Sequence, residues 1–194
     1  DWYRSRGLGD VYKRQIEPFV GGGAVFFHLS EQITAQQIPS VINDINPELV
    51  NCYQMVKTQT DDLISLLKTH KHDKNYYLEI RNLDRQEGGL SVLSPLERAS
   101  RFIYLNRTGF NGMYRVNSKG LNNVPFGRYE NPSIVNEDIL RASAKALIDT
   151  QISNQSFQDC LSNAGRGDFV YLDPPYVPLN DTSYFTSYMT NGFT

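Results

Sequence analysis

Ile16-Glu17-Pro18-Phe19-Val20-Gly21-Gly22-Gly23-Ala24-Val25-Phe26-Phe27-His28-Leu29 reads as strand, glycine turn and helix in direct succession. The run Ile16 to Val20 suits a short buried strand, the three glycines break it, and Ala24 to Leu29 opens a helical apolar run. A second strand follows at Ser40-Val41-Ile42-Asn43, closed by Asp44. Asn46-Pro47 supplies an N-cap and a first-turn proline for a helix to about Lys57, with Leu49, Val50, Tyr53 and Val56 as its apolar stripe. Strands alternating with helices imply an α/β fold with a doubly wound, mostly parallel, Rossmann-like sheet.

Farther along, a helix is expected over about Asp61 to Lys68, and the polar stretch through about Ser91 supplies more helix and loop. Ser94-Pro95-Leu96-Glu97 is a capping box with proline at the first helical position, opening a helix to roughly Leu105. Between Asn106 and Tyr129 the glycines Gly109, Gly112, Gly120 and Gly127 punctuate short aromatic pieces, which fits an irregular hairpin rather than helix. A helix from about Asn136 to Ile148 then leads to strands near Thr150 to Ser153 and Asp168 to Leu172. Residues Asp1 to Gln15 lack either period and read as a foreign or unstructured segment.

With 194 residues, 40% of them hydrophobic and 12% aromatic, the chain is long enough for one good core plus an insertion. No run approaches the ~18 apolar residues that a membrane span needs, so a cytoplasmic protein without membrane association is expected. Cys52 and Cys160 lack metal-ligand spacing, and His28, His70 and His72 form no ligand set with them, so no metal is expected. His70-x-His72 reads more readily as a solvated helix end. The net charge of −2 conceals an asymmetry. From Arg98 to Tyr129 there is no Asp or Glu, while Arg98, Arg101, Arg107, Arg115, Lys119 and Arg128 alternate with Tyr104, Phe110, Tyr114, Phe126 and Tyr129. Cations interleaved with aromatic rings suit phosphate contacts plus base stacking.

The last strand runs into Asp173-Pro174-Pro175-Tyr176. A planar exocyclic amine is a poor nucleophile because its lone pair is delocalised. The Asp173 carboxylate and the Pro174 carbonyl offer acceptors for its two N–H groups, and Tyr176 offers a face on which a flat base can stack. Methylation of adenine, cytosine or an amide are all open on this tetrapeptide alone, and a tight Pro-Pro turn is the structural alternative.

A ligand crevice in a doubly wound sheet lies beyond the carboxyl ends of the strands, where the glycine turn, Asp44 and Asp173 all fall. Glycine lets the backbone approach a ligand, and Asp44 is spaced to bind two ribose hydroxyls. Phe26 stands where a dinucleotide fingerprint needs its third glycine, which counts against a nicotinamide cofactor.

Glu17-Pro18-Phe19-Val20-Gly21-Gly22-Gly23-Ala24, Tyr104-Leu105-Asn106-Arg107-Thr108-Gly109-Phe110-Asn111-Gly112-Met113-Tyr114-Arg115 and Asp173-Pro174-Pro175-Tyr176 together resemble the Dam-type (D12 class) adenine-N6 DNA methyltransferases. Val124-Pro125-Phe126-Gly127-Arg128-Tyr129 and the tail from Phe185 to Thr194 match the same family, so the resemblance runs from Ile16 onward. It implies S-adenosylmethionine as methyl donor, held by Glu17, Phe19, Gly21, Gly23, Asp44, Phe157 and Asp173, with Asp159 a further candidate. It also implies duplex DNA as partner and catalysis by Asp173, Pro174 and Tyr176 on a flipped adenine, in 5′-GATC for the best-known members. Carried over by position, Phe110 wedges into the base stack, Asn111 meets the orphaned base, Arg115 reads a guanine, Met113 and Pro125 make apolar contacts, and Arg107 holds backbone.

On this resemblance, residues 16–57 and 136–194 form the S-adenosylmethionine-binding catalytic domain and 58–135 an inserted target-recognition region, the enzyme being a monomer of bacterial or phage type. Family members begin with a Lys-Trp-x-Gly-Gly-Lys segment and continue past the position of Thr194. The expectation is therefore an incomplete sheet, truncated at both ends, with weakened cofactor binding. Alternatives are a catalytically silent DNA-binding remnant, or a methyltransferase acting on RNA adenine or protein glutamine.

Overall fold

In the computed structural model, residues 12–175 are described, and they divide into two compact units: residues 12–45 with 146–173, and residues 46–145 with 174–175. Among the described residues no helix is long and apolar enough to cross a membrane.

The first unit is a four-stranded, all-parallel sheet in the order β3-β2-β1-β4. Its strands are β1 (Arg14–Glu17), β2 (Ser40–Asn43), β3 (Thr150–Ser153) and β4 (Asp168–Val170). Ile16 pairs with Val41 on one side and Val170 on the other, so β1 is central. Parallel neighbours need a crossover, and α1 (Ala24–Ala35) supplies the one between β1 and β2. Its two buried residues, Phe26 and Ile33, are seven apart and share one helical face. From β1 the order runs outward through β2 to β3, then reverses to place β4 on the opposite side. The switch point lies between β1 and β4.

The doubly wound parallel sheet expected from the sequence is what forms, with two shifts at strand ends. The first strand begins at Arg14, inside the segment that reads as foreign from its sequence. Gln15 and Glu17 fill one buried face of it, so no apolar period announces the strand, while pairing on both sides needs only its backbone. The last strand ends at Val170 rather than Leu172, although Tyr171 N still donates to Ile16 O at 3.0 Å.

The second unit is helical, with α2 (Pro47–Thr58), α3 (Thr60–Leu67), α4 (Lys74–Asn82), α5 (Pro95–Thr108) and most of α6 (Glu137–Leu147). Asn46 caps α2 by accepting from Glu48 N at 3.0 Å, and Pro47 takes the first helical position. The capping box that opens α5 is formed: Glu97 N donates to Ser94 Oγ at 3.2 Å and Ser94 N to Glu97 Oε2 at 2.8 Å. Helices α2, α3 and α4 all pack on α5, and Tyr77, Tyr104 and Leu105 form a buried cluster against Phe126 and Ile134. His70 is not a solvated helix end. Its ring stacks on Tyr104 at 4.4 Å, and its nitrogens lie 2.8 Å from Tyr76 Oη and 2.9 Å from Ser100 Oγ.

After α5 the chain makes the irregular hairpin expected from its glycines. Antiparallel bridges join Gly109 to Phe126 and Val116 to Asn122. The tip is an Asx turn, where Asn117 Oδ1 accepts from Lys119 N at 2.9 Å and Leu121 N at 3.1 Å.

Candidate functional site

In the first unit the glycine turn leaves the central strand at the switch-point end. Gly21 has φ 49° and Gly23 φ 71°, left-handed values that glycine adopts without strain. A Cβ placed at Gly21 or Gly22 would meet nothing within 4 Å, so the turn presents bare backbone to open space. Gly21 N donates to Asp44 Oδ2 at 3.1 Å, which joins the turn to the carboxylate at the end of β2.

Asn43, beside Asp44, ties three strand ends together. Its Nδ2 donates to Pro18 O at 3.0 Å and Gln155 O at 3.1 Å, and its Oδ1 accepts from Ser153 Oγ and Gln155 N, both at 2.9 Å. All four hydrogen-bonding positions of the buried amide are used. The Gln155 contacts fix the approach to α7 (Phe157–Leu161), whose first residue places its ring 5.4 Å from that of Phe19. The sequence reading missed Asn43, because a polar residue at the end of an apolar strand resembles an ordinary loop residue. Asp159 is exposed, and its carboxylate accepts from Ser156 Oγ at 2.7 Å at the start of the same helix.

Glu17 is buried at 1% exposure, and Gln15 Nε2 donates to its Oε1 at 2.6 Å. Burial raises this carboxyl to about 7, and the hydrogen bond from Gln15 opposes the rise. Because β4 pairs beside β1, the chain passes Tyr171 at the same sheet end as the glycine turn, with Asp173 two residues on and exposed. Pro174 is exposed as well, and Tyr176 and the Phe185–Thr194 tail lie outside the described residues.

In the second unit the hairpin carries the residues for which the family resemblance implies DNA contact. Phe110 is 43% exposed, and Arg107, Asn111, Arg115 and Pro125 are exposed too, while Met113 is half-buried. Asn111 is left-handed, with φ 52°, at the bend after Phe110. Phe110 N donates to Pro125 O at 2.9 Å, so the two arms meet beside it. Arg115 Nε donates to Asn123 Oδ1 at 2.7 Å and its Nη2 to Asn123 O at 3.2 Å. These bonds hold the guanidinium across the hairpin and leave its outer edge as a fork.

The acid-free run is not an acid-free surface. Arg98 makes two hydrogen bonds to Glu48, one of them from Nε to Oε2 at 3.2 Å. Arg101 is 7% exposed and bonds Asp84 Oδ2 at 2.9 Å. Both cations are committed to acids from upstream helices and turns. Arg107, Arg115, Lys119 and Arg128 remain as exposed cations of that run. Among the described residues no group of His, Cys, Asp and Glu is arranged to hold a metal.

An all-parallel sheet with a glycine turn at its switch point and a carboxylate bonded to that turn is a Rossmann-like α/β fold of the kind methyltransferases use. The chain belongs to the D12 class of N6 adenine-specific DNA methyltransferases, whose family model matches residues 9–194. It is 46% identical over 190 residues to the Type II methyltransferase M1.LlaDCHI of Lactococcus lactis subsp. cremoris, covering 96% of this chain and 64% of that protein. It is 40% identical to the Type II methyltransferase M.MjaIII of Methanocaldococcus jannaschii, covering 93% of this chain and 64% of the relative. Against the DNA adenine methylase of Escherichia coli K12 the identity is 37%, covering 92% and 62%. The chain thus spans just under two thirds of the length of these relatives.

Proposed function

We propose that this chain carries the cofactor site, the amine-holding turn and the recognition hairpin of an enzyme that methylates adenine N6 in duplex DNA, within 5′-GATC. The observation that carries this reading is the 3.1 Å bond from Gly21 N to Asp44 Oδ2 at the strand ends, in a chain whose β4 leads to Asp173-Pro174-Pro175. The names of the relatives, DNA adenine methylase and Type II methyltransferase, support the acceptor and the chemistry.

The residues fit S-adenosylmethionine. Bare backbone at Gly21 and Gly22 leaves room for close approach, Asp44 would take ribose hydroxyls, and the Phe19 and Phe157 rings offer apolar faces for the adenine ring. When bound, the donor supplies an electrophilic methyl group on a sulfonium centre. The chain's own part is positioning. Asp173 and the Pro174 carbonyl accept the two N6 hydrogens of a flipped adenine, so the lone pair points outward, and Tyr176 stacks on the base. Substitution makes the N6 proton acidic, so it leaves to water without a dedicated base. In the hairpin, Phe110 fills the gap in the stack, Asn111 meets the orphaned base, and Arg115 reads guanine O6 and N7. Met113 and Pro125 contact bases apolarly, and Arg107 holds phosphate.

The test pairs binding with transfer. Calorimetric titration with S-adenosylhomocysteine should show affinity that falls at least about tenfold in Asp44→Ala. Labelled S-adenosylmethionine with a GATC duplex should place label on adenine N6, and Asp173→Ala should abolish transfer while DNA affinity persists. Label on cytosine, RNA or protein in place of duplex adenine would overturn the reading.

A further inference from the structure

The returning arm of the hairpin is held by side chains where a sheet would use a neighbouring strand. Asn122 bridges Val116 at a position whose own N–H and C=O point away from the hairpin. Two successive residues of the short turn Leu83–Arg85 take both groups. Asn122 N donates to Asp84 Oδ2 at 2.8 Å, and Arg85 Nη2 donates to Asn122 O at 2.5 Å. Asp84 and Arg85 are also bonded to each other, and Arg101 braces Asp84 from α5 while donating to Ile80 O at 2.9 Å and Arg81 O at 2.7 Å. Two residues farther, Val124 O accepts from Tyr77 Oη and Arg81 Nη1, both at 3.0 Å. Between these anchors lies Asn123, which donates its N–H to Arg115 O at 3.1 Å and orients the Arg115 guanidinium.

We propose that Asp84 and Arg85 are positioning residues for sequence readout: they fix the register of the returning arm so that Asn123 presents the Arg115 fork to a guanine. This rests on the DNA reading above. Two isolated bridges and a few backbone hydrogen bonds join the arms, a pairing that specifies register weakly, and a slip of one residue would turn Asn123 to the other face. The pair Asp84-Arg85 sets a backbone N–H and a backbone C=O of one residue at once, which an arm slipped by one residue cannot match.

The test measures the affinity of the 194-residue chain for a GATC duplex and for a duplex with the guanine replaced. Arg85 lies at the surface with its side chain 30% exposed, so Arg85→Ala should leave the fold intact, whereas Asp84→Ala strands the buried Arg101 and is read beside Asp84→Asn. Arg85→Ala should cut discrimination between the duplexes about tenfold, with Arg85→Lys restoring part of it and S-adenosylhomocysteine affinity unchanged. Hydrogen exchange at the Asn122 and Asn123 amides should accelerate, while that of the α5 core stays protected. An equal loss of affinity for both duplexes would make Arg85 a phosphate contact and overturn the proposal. Unchanged discrimination with unchanged exchange would also overturn it. If the unsubstituted chain does not discriminate between the duplexes, the readout by Arg115 itself fails, and the proposal with it.

Discussion

Gln15 Nε2 lies 2.6 Å from Glu17 Oε1 on a buried face of the central strand. Burial lifts the Glu17 carboxyl from an ordinary value near 4.5 to about 7. Between those values the folded chain holds a proton that the unfolded chain has released, so stability falls as pH rises through that window. Glu17→Gln keeps an acceptor for Gln15 and removes the titration. In urea unfolding it should exceed the unsubstituted protein at pH 8 by on the order of 3 kcal/mol, with the gap closing toward pH 4.5. A gap independent of pH would contradict this account.

Asn43→Ala removes four hydrogen bonds at once and leaves the Pro18 and Gln155 carbonyls without that donor. The expected loss is about 3 kcal/mol of stability, together with weaker S-adenosylhomocysteine binding, because the glycine turn and α7 lose their shared tie. Ser153→Ala removes one of the four bonds and should cost about 1 kcal/mol. Equal effects of the two variants would remove Asn43 from this role.

Burial lowers His70 from about 6.5 to about 4, so the folded ring is neutral at physiological pH. Between these values the unfolded chain binds the proton first, and stability is lost as pH falls through the window. NMR titration of the ring should give a midpoint near 4. His70→Gln should flatten the acid limb of the stability profile, and a midpoint near 6.5 would sink the prediction.

Gly109 has no room for a side chain. An added Cβ would sit 2.5 Å from Leu105 O and 3.0 Å from Tyr77 Oη, both within the buried cluster. Gly109→Ala should cost more than ~2 kcal/mol and release the base of the hairpin. Gly120→Ala at the tip meets nothing within 4 Å and strains only its φ of +74°, so about 1 kcal/mol is expected there. Comparative thermal unfolding of the two variants tests the contrast.

Local signals were legible wherever a short stretch decides its own conformation. The glycine turn after the first strand, the Asn46-Pro47 cap and the Ser94-Glu97 box each formed where the residues placed them. What the sequence hid lies in long-range pairing. Arg98 and Arg101 look like a cationic face because Glu48 and Asp84 lie 50 and 17 positions upstream. His70 looks solvated until Tyr76, Ser100 and Tyr104 close around it. The meeting of Gly21 with Asp44 was readable from their spacing, but Asn43 in the first unit and Asp84 in the second each act through backbone groups distant in the chain, and nothing in their neighbours announces this.

The parallel pairing of β2 with β3 sets the order of assembly. Ser40 and Thr150, whose hydroxyls lie 2.7 Å apart, are 110 positions apart in the chain, and nearly all of the helical unit lies between them. Closing so long a loop from an open coil is entropically unfavourable and slow. Once the intervening helices have condensed, the same closure spans far fewer free links. During synthesis the first two strands should therefore wait, with the sheet completed after the unit that interrupts it.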